Sequence, residues 1–421
     1  MLLMFKVRNY TSFKDTTVLD LRATSLVQHT SHCICVNEKT RLLKVNAILG
    51  KNASGKSNFV SAMYFLKRFI FSQFVSDKES ADLDDMDAEK IKLEPFLLSD
   101  VLDEASEFEI IFFSNGKQIQ YGFECTSREV LSEWFLINDK TVFERKGFNV
   151  ELGTAYRKVL ADHKKTAEGR LHIAILEWGL DEKTKSEVLG DFLNYFSKEY
   201  NVFMEVLFES SVKGIAGSFG ILTRLLNDEV YRGKVAEYLI RIDLGIKGID
   251  VQEEVTVNKK TGKEQKRKVL KTIHEVYNSA GKKVKYEYFD LIQESSGTLR
   301  FLSYIQHILK TIESGGVFIV DEISARLHPK LTKLIVDIFQ SDINSKAQLI
   351  FTTHDISLLN NNQFRRDEVV FIDKNNHGES SLYTLSDLRV REDATFHKDY
   401  MQGKYGAIPI LNYDDLLGGI I

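Results

Sequence analysis

The stretch ILGKNASGKSN, Ile48 to Asn58, carries the densest chemistry in the chain. Gly50, Lys51, Asn52, Ala53, Ser54, Gly55, Lys56 and Ser57 fit G-x-x-x-x-G-K-[ST] in full, after an apolar run and before a helical one. Glycines in such a loop let backbone N–H groups turn toward phosphate oxygens, and the following helix N-terminus adds a favourable partial charge. Lys56 is then placed to reach the β and γ phosphates of ATP, Ser57 to offer its hydroxyl to Mg2+, and Asn58 to extend the polar run. The string alone also suits kinases and many other nucleotide triphosphatases.

Three further stretches narrow that range. GGVFIVDEI, Gly315 to Ile323, reads as an apolar strand ending in two carboxylates. At the C-terminal edge of a parallel sheet this pattern assigns Asp321 to the Mg2+ shell and Glu322 to general-base or water-positioning work. QLIFTTHD, Gln348 to Asp355, is a second buried strand, and if the two are neighbours His354 lies beside Glu322, within reach of the γ-phosphate. Lys56, Glu322 and His354 are the candidate catalytic groups. Finally, Ser295, Ser296, Gly297 and Thr298 follow Glu294 and precede a helix whose Leu302, Ile305, Leu309 and Ile312 step by three and four. A Ser-Ser-Gly at a helix start is a second anion site, and it wants a phosphate from elsewhere.

These residues need elements to hold them. Phe5 and Val7, then Leu19 and Leu21, alternate with polar neighbours and predict two strands joined by a polar turn. LLKVNAILG predicts a buried strand, and SNFVSAMYFLKRFIFSQF a largely buried helix with Phe59, Met63, Leu66 and Ile70 on one face. EFEIIFF and IQYGFEC predict a hairpin turned at Asn115-Gly116, with WFLIND and KTVFER as two more strands. Residues from about 156 to 244 read as largely helical and carry no motif. The expected class is α/β, with residues 1–150 and 251–421 forming the two parts of a nucleotide-binding head and 151–250 a mainly helical insertion.

Charge and composition bound the partners. The 421 residues are 43% hydrophobic with a net charge of -4, which suits a globular chain and gives no bulk attraction to nucleic acid. Asp77 to Glu89 holds seven acidic residues and reads as a solvated loop. Ten Lys or Arg lie between Lys259 and Lys285, in two hairpins expected to turn at Thr261-Gly262 and Ala280-Gly281. Such a ribbon could track a phosphate backbone, or simply discourage unwanted strand pairing. Lys6 and Arg8 come too early for a signal-peptide core, and no run of about 18 apolar residues appears, so the expected location is cytoplasmic, away from membranes. Cys33, Cys35 and Cys125 are too few for a disulfide framework. His29, His32, Cys33 and Cys35 could in principle bind zinc, but lack a second cysteine pair at a distance; a strand leaving a His-rich turn is the expected reading.

In order, GKNASGKS, ESSGTLR, VFIVDE, SARLHP and LIFTTH resemble the Walker A, signature, Walker B, D-loop and switch-histidine motifs of ABC-type ATPases. MFKVRNYTSFKD resembles the first hairpin of the RecF and SMC branch. The tail RRDEVVFIDKNNHGESSLYTLSDLRVRED...YMQGKYGAIPIL resembles compact bacterial ATPases typified by RloA and AbiLi, to which the AriA subunit of PARIS phage defence is also similar. The resemblance implies an ABC-type head with an antiparallel β subdomain, and ATP and Mg2+ as cofactors. It implies a homodimer, or a larger assembly, in which Ser295, Ser296 and Gly297 of one subunit meet the γ-phosphate held by another, with residues 324–329 crossing the seam. It further implies a regulatory subunit in antiviral defence controlling a separately encoded nuclease-like effector, commonly of the TOPRIM type. The signature is ESSGT rather than LSGGQ, and no Q-loop glutamine is identified. The competing reading is a RecF-like clamp that closes on nucleic acid; a long-coiled-coil SMC is disfavoured because no sustained heptads separate Ser57 from Ser295.

Overall fold

Alternation at Phe5 and Val7 builds β1 (Leu2–Arg8), which pairs antiparallel with β2 (Thr17–Asp20) and sets Phe5 opposite Leu19. The computed structural model describes residues 1–72, 93–101, 104–127, 129–168, 180–204, 219–242, 245–257, 264–391 and 394–409. The acidic 77–89 segment and the Thr261-Gly262 turn lie outside them. The His-rich stretch forms a short turn, Thr30–His32, leading into β3 (Cys33–Cys35), which pairs with β4 (Arg41–Leu43). His32 Nδ1 lies 3.0 Å from Glu368 Oε2, and among the described residues no group of His, Cys, Asp and Glu is arranged to hold a metal ion. The chain continues through β5 (Val45–Leu49), α1 (Lys56–Ser72), β6 (Ser106–Ser114), β7 (Lys117–Cys125), β8 (Val130–Ile137), β9 (Lys140–Lys146) and β10 (Asn149–Leu152). Asn115 and Gly116 take φ values of 48° and 77°, the left-handed pair that a two-residue hairpin turn requires.

The middle block is largely helical, as expected, with one short strand among its described residues that the sequence does not suggest. Helices α2 (Arg157–Glu168) and α3 (Glu182–Asn194) are followed by a π-helical turn at Tyr195–Glu199 and a short strand, β11 (Tyr200–Phe203). Residues 193–199 of LNYFSKEY are helical as expected, and the four residues of β11 are too few to show an alternation. Packing decides: Tyr195 stacks on Phe112 at 3.8 Å, and Tyr200 is fully buried.

Next come α4 (Phe219–Asn227), α5 (Glu229–Arg241), β12 (Gly248–Val257), β13 (Glu264–Tyr277), β14 (Lys283–Asp290), α6 (Ser296–Ser314) and β15 (Val317–Val320). The chain closes with α7 (Pro329–Gln340), β16 (Gln348–Thr352), β17 (Val369–Lys374), β18 (Ser380–Thr384) and α8 (Phe396–Met401). It divides into two units, one of Met1–Met204, Ser314–Ile323 and Lys333–Ile421, the other of Glu205–Glu313 and Ser324–Thr332.

The first unit contains an antiparallel sheet in the order β10-β9-β8-β7-β6-β1-β2 and a second in the order β11-β15-β16-β5-β17-β18. In the second sheet every neighbouring pair is parallel except β17 with β18. Strand β5 is buried at all five positions, as a central parallel strand must be. Helix α1 shares one apolar core with residues of both sheets, and Phe59 meets Phe5 edge-on at 5.6 Å. The second unit holds α4, α5 and the three-stranded antiparallel sheet β12-β13-β14. The α/β class is as expected: a mostly parallel sheet with flanking helices, a separate antiparallel sheet and inserted helices.

Candidate active site

Strand β5 ends at Leu49 and α1 begins at Lys56, so residues 50–55 must turn the chain within one loop. Ala53 and Gly55 do so with φ values of 58° and 112°. A Cβ at Gly50 would collide with the Ile372 carbonyl, and one at Gly55 would meet Ser380 Oγ at 2.5 Å and Ser12 Oγ at 2.8 Å. Gly50 therefore answers to close packing, and Gly55 to close packing as well as to backbone freedom. Behind the loop Ser380 Oγ donates to Ser54 O at 2.6 Å and pairs with Ser12 Oγ at 2.8 Å, while Asn58 Nδ2 donates to Ser12 Oγ at 2.9 Å. Ser12 and Ser380 were not singled out from the sequence, because isolated serines in a turn and at a strand start carry no spacing pattern.

Lys56 Nζ folds back over the loop and donates to Gly50 O at 2.9 Å and Lys51 O at 3.0 Å. Burial lowers its pKa to about 8, against the opposing pull of Glu322 and Asp321. Lys51 Nζ instead pairs with Asp373 Oδ1 at 2.9 Å.

Parallel pairing of β15, β16 and β5 brings the predicted residues to one edge. Ser57 Oγ donates to Asp321 Oδ1 at 3.2 Å, and Asp321 is buried. Glu322 sits in the left-handed region at φ 52°. Its Oε2 lies 3.7 Å from His354 Nε2, and its Oε1 accepts from the His354 N–H at 3.4 Å. Burial and the neighbouring Lys56 charge hold the His354 pKa below the usual imidazole value, with Glu322 and Asp321 pulling the other way. Thr352, which sequence reasoning passed over as a strand residue, contacts both carboxylate-bearing residues through its hydroxyl.

Ser295, Ser296, Gly297 and Thr298 belong to the second unit. There Ser295 Oγ accepts from the Thr298 N–H at 3.1 Å and so caps α6. Ser296 is exposed, and a Cβ at Gly297 would come within 2.7 Å of Arg326 O, so this glycine admits the 324–332 segment of the same unit.

The residues present fit ATP and Mg2+. The buried Ser54 Oγ has no hydrogen-bond partner among the described residues, as expected of a loop shaped for a ligand. Ser57 and Asp321 converge as hard oxygen donors of the kind Mg2+ prefers. Beside the loop lies a cavity of about 560 Å³, whose lining includes Gly50, Lys51, His354, Tyr400, Met401 and Ile408. The C-terminal segment is drawn there by its own contacts: Tyr400 stacks on Phe371 at 5.5 Å, and its hydroxyl donates to Ala407 O at 2.8 Å.

A family model described as "AAA domain, putative AbiEii toxin, Type IV TA system" matches residues 45–188 and 215–360. No curated protein matches the chain. Among solved structures, the SMC head domain from Thermotoga maritima is 13% identical, with a TM-score of 0.38 over 92% of this chain and 99% of that one. An SMC head bound to the C-terminal winged-helix domain of ScpA is 14% identical, TM-score 0.41, over 91% and 97% of the two chains. An SMC head with an extended coiled coil, bound to the C-terminal domain of ScpA derived from Pyrococcus furiosus, is 11% identical, TM-score 0.39, over 96% and 98%.

Proposed function

The chain belongs to the family described as "AAA domain, putative AbiEii toxin, Type IV TA system", whose model spans more than half of it, and on that premise we propose a Mg2+-dependent ATPase that regulates a toxic effector. The observation that carries the chemistry is the meeting of Lys56, Ser57, Asp321, Glu322 and His354 at the ends of adjacent parallel strands and the start of α1. The loop N–H groups and Lys56 bind the phosphates, Ser57 and Asp321 hold Mg2+, and Glu322 orients the attacking water and takes its proton. Mg2+, when bound, supplies neutralisation of phosphate charge. His354, held beside Glu322, reads the terminal phosphate. Expected outcome: Glu322→Gln keeps ATP affinity while turnover falls about 10²–10⁴-fold. Wild-type turnover in that variant removes the assignment of Glu322.

The regulatory role rests on the tail's resemblance to RloA, AbiLi and AriA and on a family description that names a toxin. In this reading ATP bound between the Walker loop of one subunit and the Ser295–Thr298 segment of another holds an assembly that restrains or licenses a separately encoded, nuclease-like effector. The alternative, a RecF-like clamp on nucleic acid, draws on the lysine-rich hairpins and on the exposed Tyr277, Tyr286 and Tyr288. The ion pairs there favour the first reading: Lys271 meets Glu254 and Asp290, Lys283 meets Glu275, and Lys285 meets Glu287, all within 3.1 Å. Lysines already countered by carboxylates release fewer ions from a phosphate backbone.

A further inference from the structure

Thr352 ends β16, the strand between β15 and β5, and is fully buried. Its polar atoms meet three consecutive residues beyond β15. The hydroxyl donates to Asp321 Oδ1 at 2.8 Å and accepts from the Glu322 N–H at 2.7 Å; the carbonyl accepts from the Ile323 N–H at 3.0 Å. A hydroxyl has one proton to give and lone pairs to receive, so one oxygen serves both neighbours. Neither contact belongs to the strand ladder. With φ at 52° the Glu322 backbone leaves the extended conformation that its strand would continue, and its amide is taken by a side chain instead. Such a backbone persists only where its surroundings over-determine it.

We infer that Thr352 is a positioning residue for ATP hydrolysis, orienting the Asp321 carboxylate toward the metal position and fixing the Glu322 turn that aims its carboxylate at water. The inference rests on the roles proposed above for Asp321 and Glu322. Valine matches threonine in shape but can neither donate nor accept, so Thr352→Val removes both links and leaves the Glu322 amide without its hydroxyl. Serine restores the oxygen. None of these hydrogen bonds of Thr352 goes to the loop from Gly50 to Ser57; Ser57 Oγ reaches the same Asp321 Oδ1 separately, at 3.2 Å.

The test measures ATP affinity in EDTA and in Mg2+, and steady-state turnover, for the full chain, Thr352→Val and Thr352→Ser. Expected for Thr352→Val are an affinity in EDTA within about 2-fold of wild type, loss of about 10-fold or more of the gain that Mg2+ gives, and a kcat lower by about 10–100-fold. Thr352→Ser should recover both quantities to within about 3-fold of wild type. Wild-type Mg2+ dependence and kcat in Thr352→Val overturn the inference, as does a Thr352→Ser variant as impaired as the valine. If Thr352→Val loses its cooperative thermal transition, Thr352→Ala and Thr352→Ser are compared instead, and equal Mg2+ dependence in that pair overturns it. A wild-type chain without turnover sinks the hydrolysis reading alone, because the binding arm still judges Thr352.

Discussion

The buried ammonium of Lys56 shows how a residue proposed to bind phosphate can work against the fold that holds it. Burial depresses its pKa to about 8 while two loop carbonyls occupy its protons. Such a charge is costly until an anion arrives. Lys56→Met is therefore expected to raise the thermal midpoint of the nucleotide-free protein while abolishing ATP binding, checked by thermal melts and equilibrium titration; a lowered midpoint would show that the carbonyl contacts outweigh desolvation. The cysteines separate by the same physics. Cys125 is buried and its thiol is pushed up to about 12, whereas Cys35 is exposed. Burial stabilises the neutral thiol, so native Cys125 has almost no thiolate below pH 9, and only unfolding returns it to the ordinary range. At pH 8 a maleimide should label Cys35 within minutes and Cys125 at the rate of unfolding, read by mass spectrometry of digests.

At the scale of elements, close backbone approach sets what the sheets tolerate. Gly316 precedes β15, and a Cβ there would collide with the Glu199 carbonyl just before β11. Gly316 leads into the strand that runs to Asp321 and Glu322, whereas Glu199 lies in no motif. Gly316→Ala is expected to destabilise the chain by about 1–3 kcal/mol by forcing the strand entries apart, measured by denaturant titration. The same argument applies more strongly at Gly55, where positive φ and contact with Ser12 and Ser380 coincide. Gly55→Ala should lose both stability and ATP affinity, whereas Gly116→Ala, whose Cβ meets nothing within 4 Å, should cost only its turn strain.

Over the whole molecule, distant parts of the sequence are tied by a few buried polar groups. Arg365, only 1% exposed, donates to both carboxylate oxygens of Asp367 and to the carbonyls of Leu26 and Gln28 more than 330 residues away. Removing it strands the Asp367 charge, so Arg365→Met is expected to cost about 3–5 kcal/mol in unfolding free energy by denaturant titration. Among the described residues no helix is long and apolar enough to cross a membrane. The proposed assembly makes its own prediction. With ATP and Mg2+, Glu322→Gln should double its molar mass by light scattering, while Ser296→Arg, on an exposed residue of the signature stretch, should stay monomeric. An unchanged mass in both would exclude the ATP-bridged dimer.

The sequence by itself determined the glycine loop between strand and helix, the carboxylate pair, the histidine and the strands and helices that carry them, since these depend on residue type at short, fixed spacing. The Asn115-Gly116 turn and the buried run of β5 were legible for that reason. Tertiary structure alone decided the rest. Strand β11 is too short for periodicity and exists because β15 offers it an edge. Ser12 and Ser380 meet behind the loop across 368 positions, and Thr352 reaches Asp321 across 31. A lone hydroxyl has no pattern along the chain; its partner is chosen by which strands become neighbours, and that choice is made by the core they share.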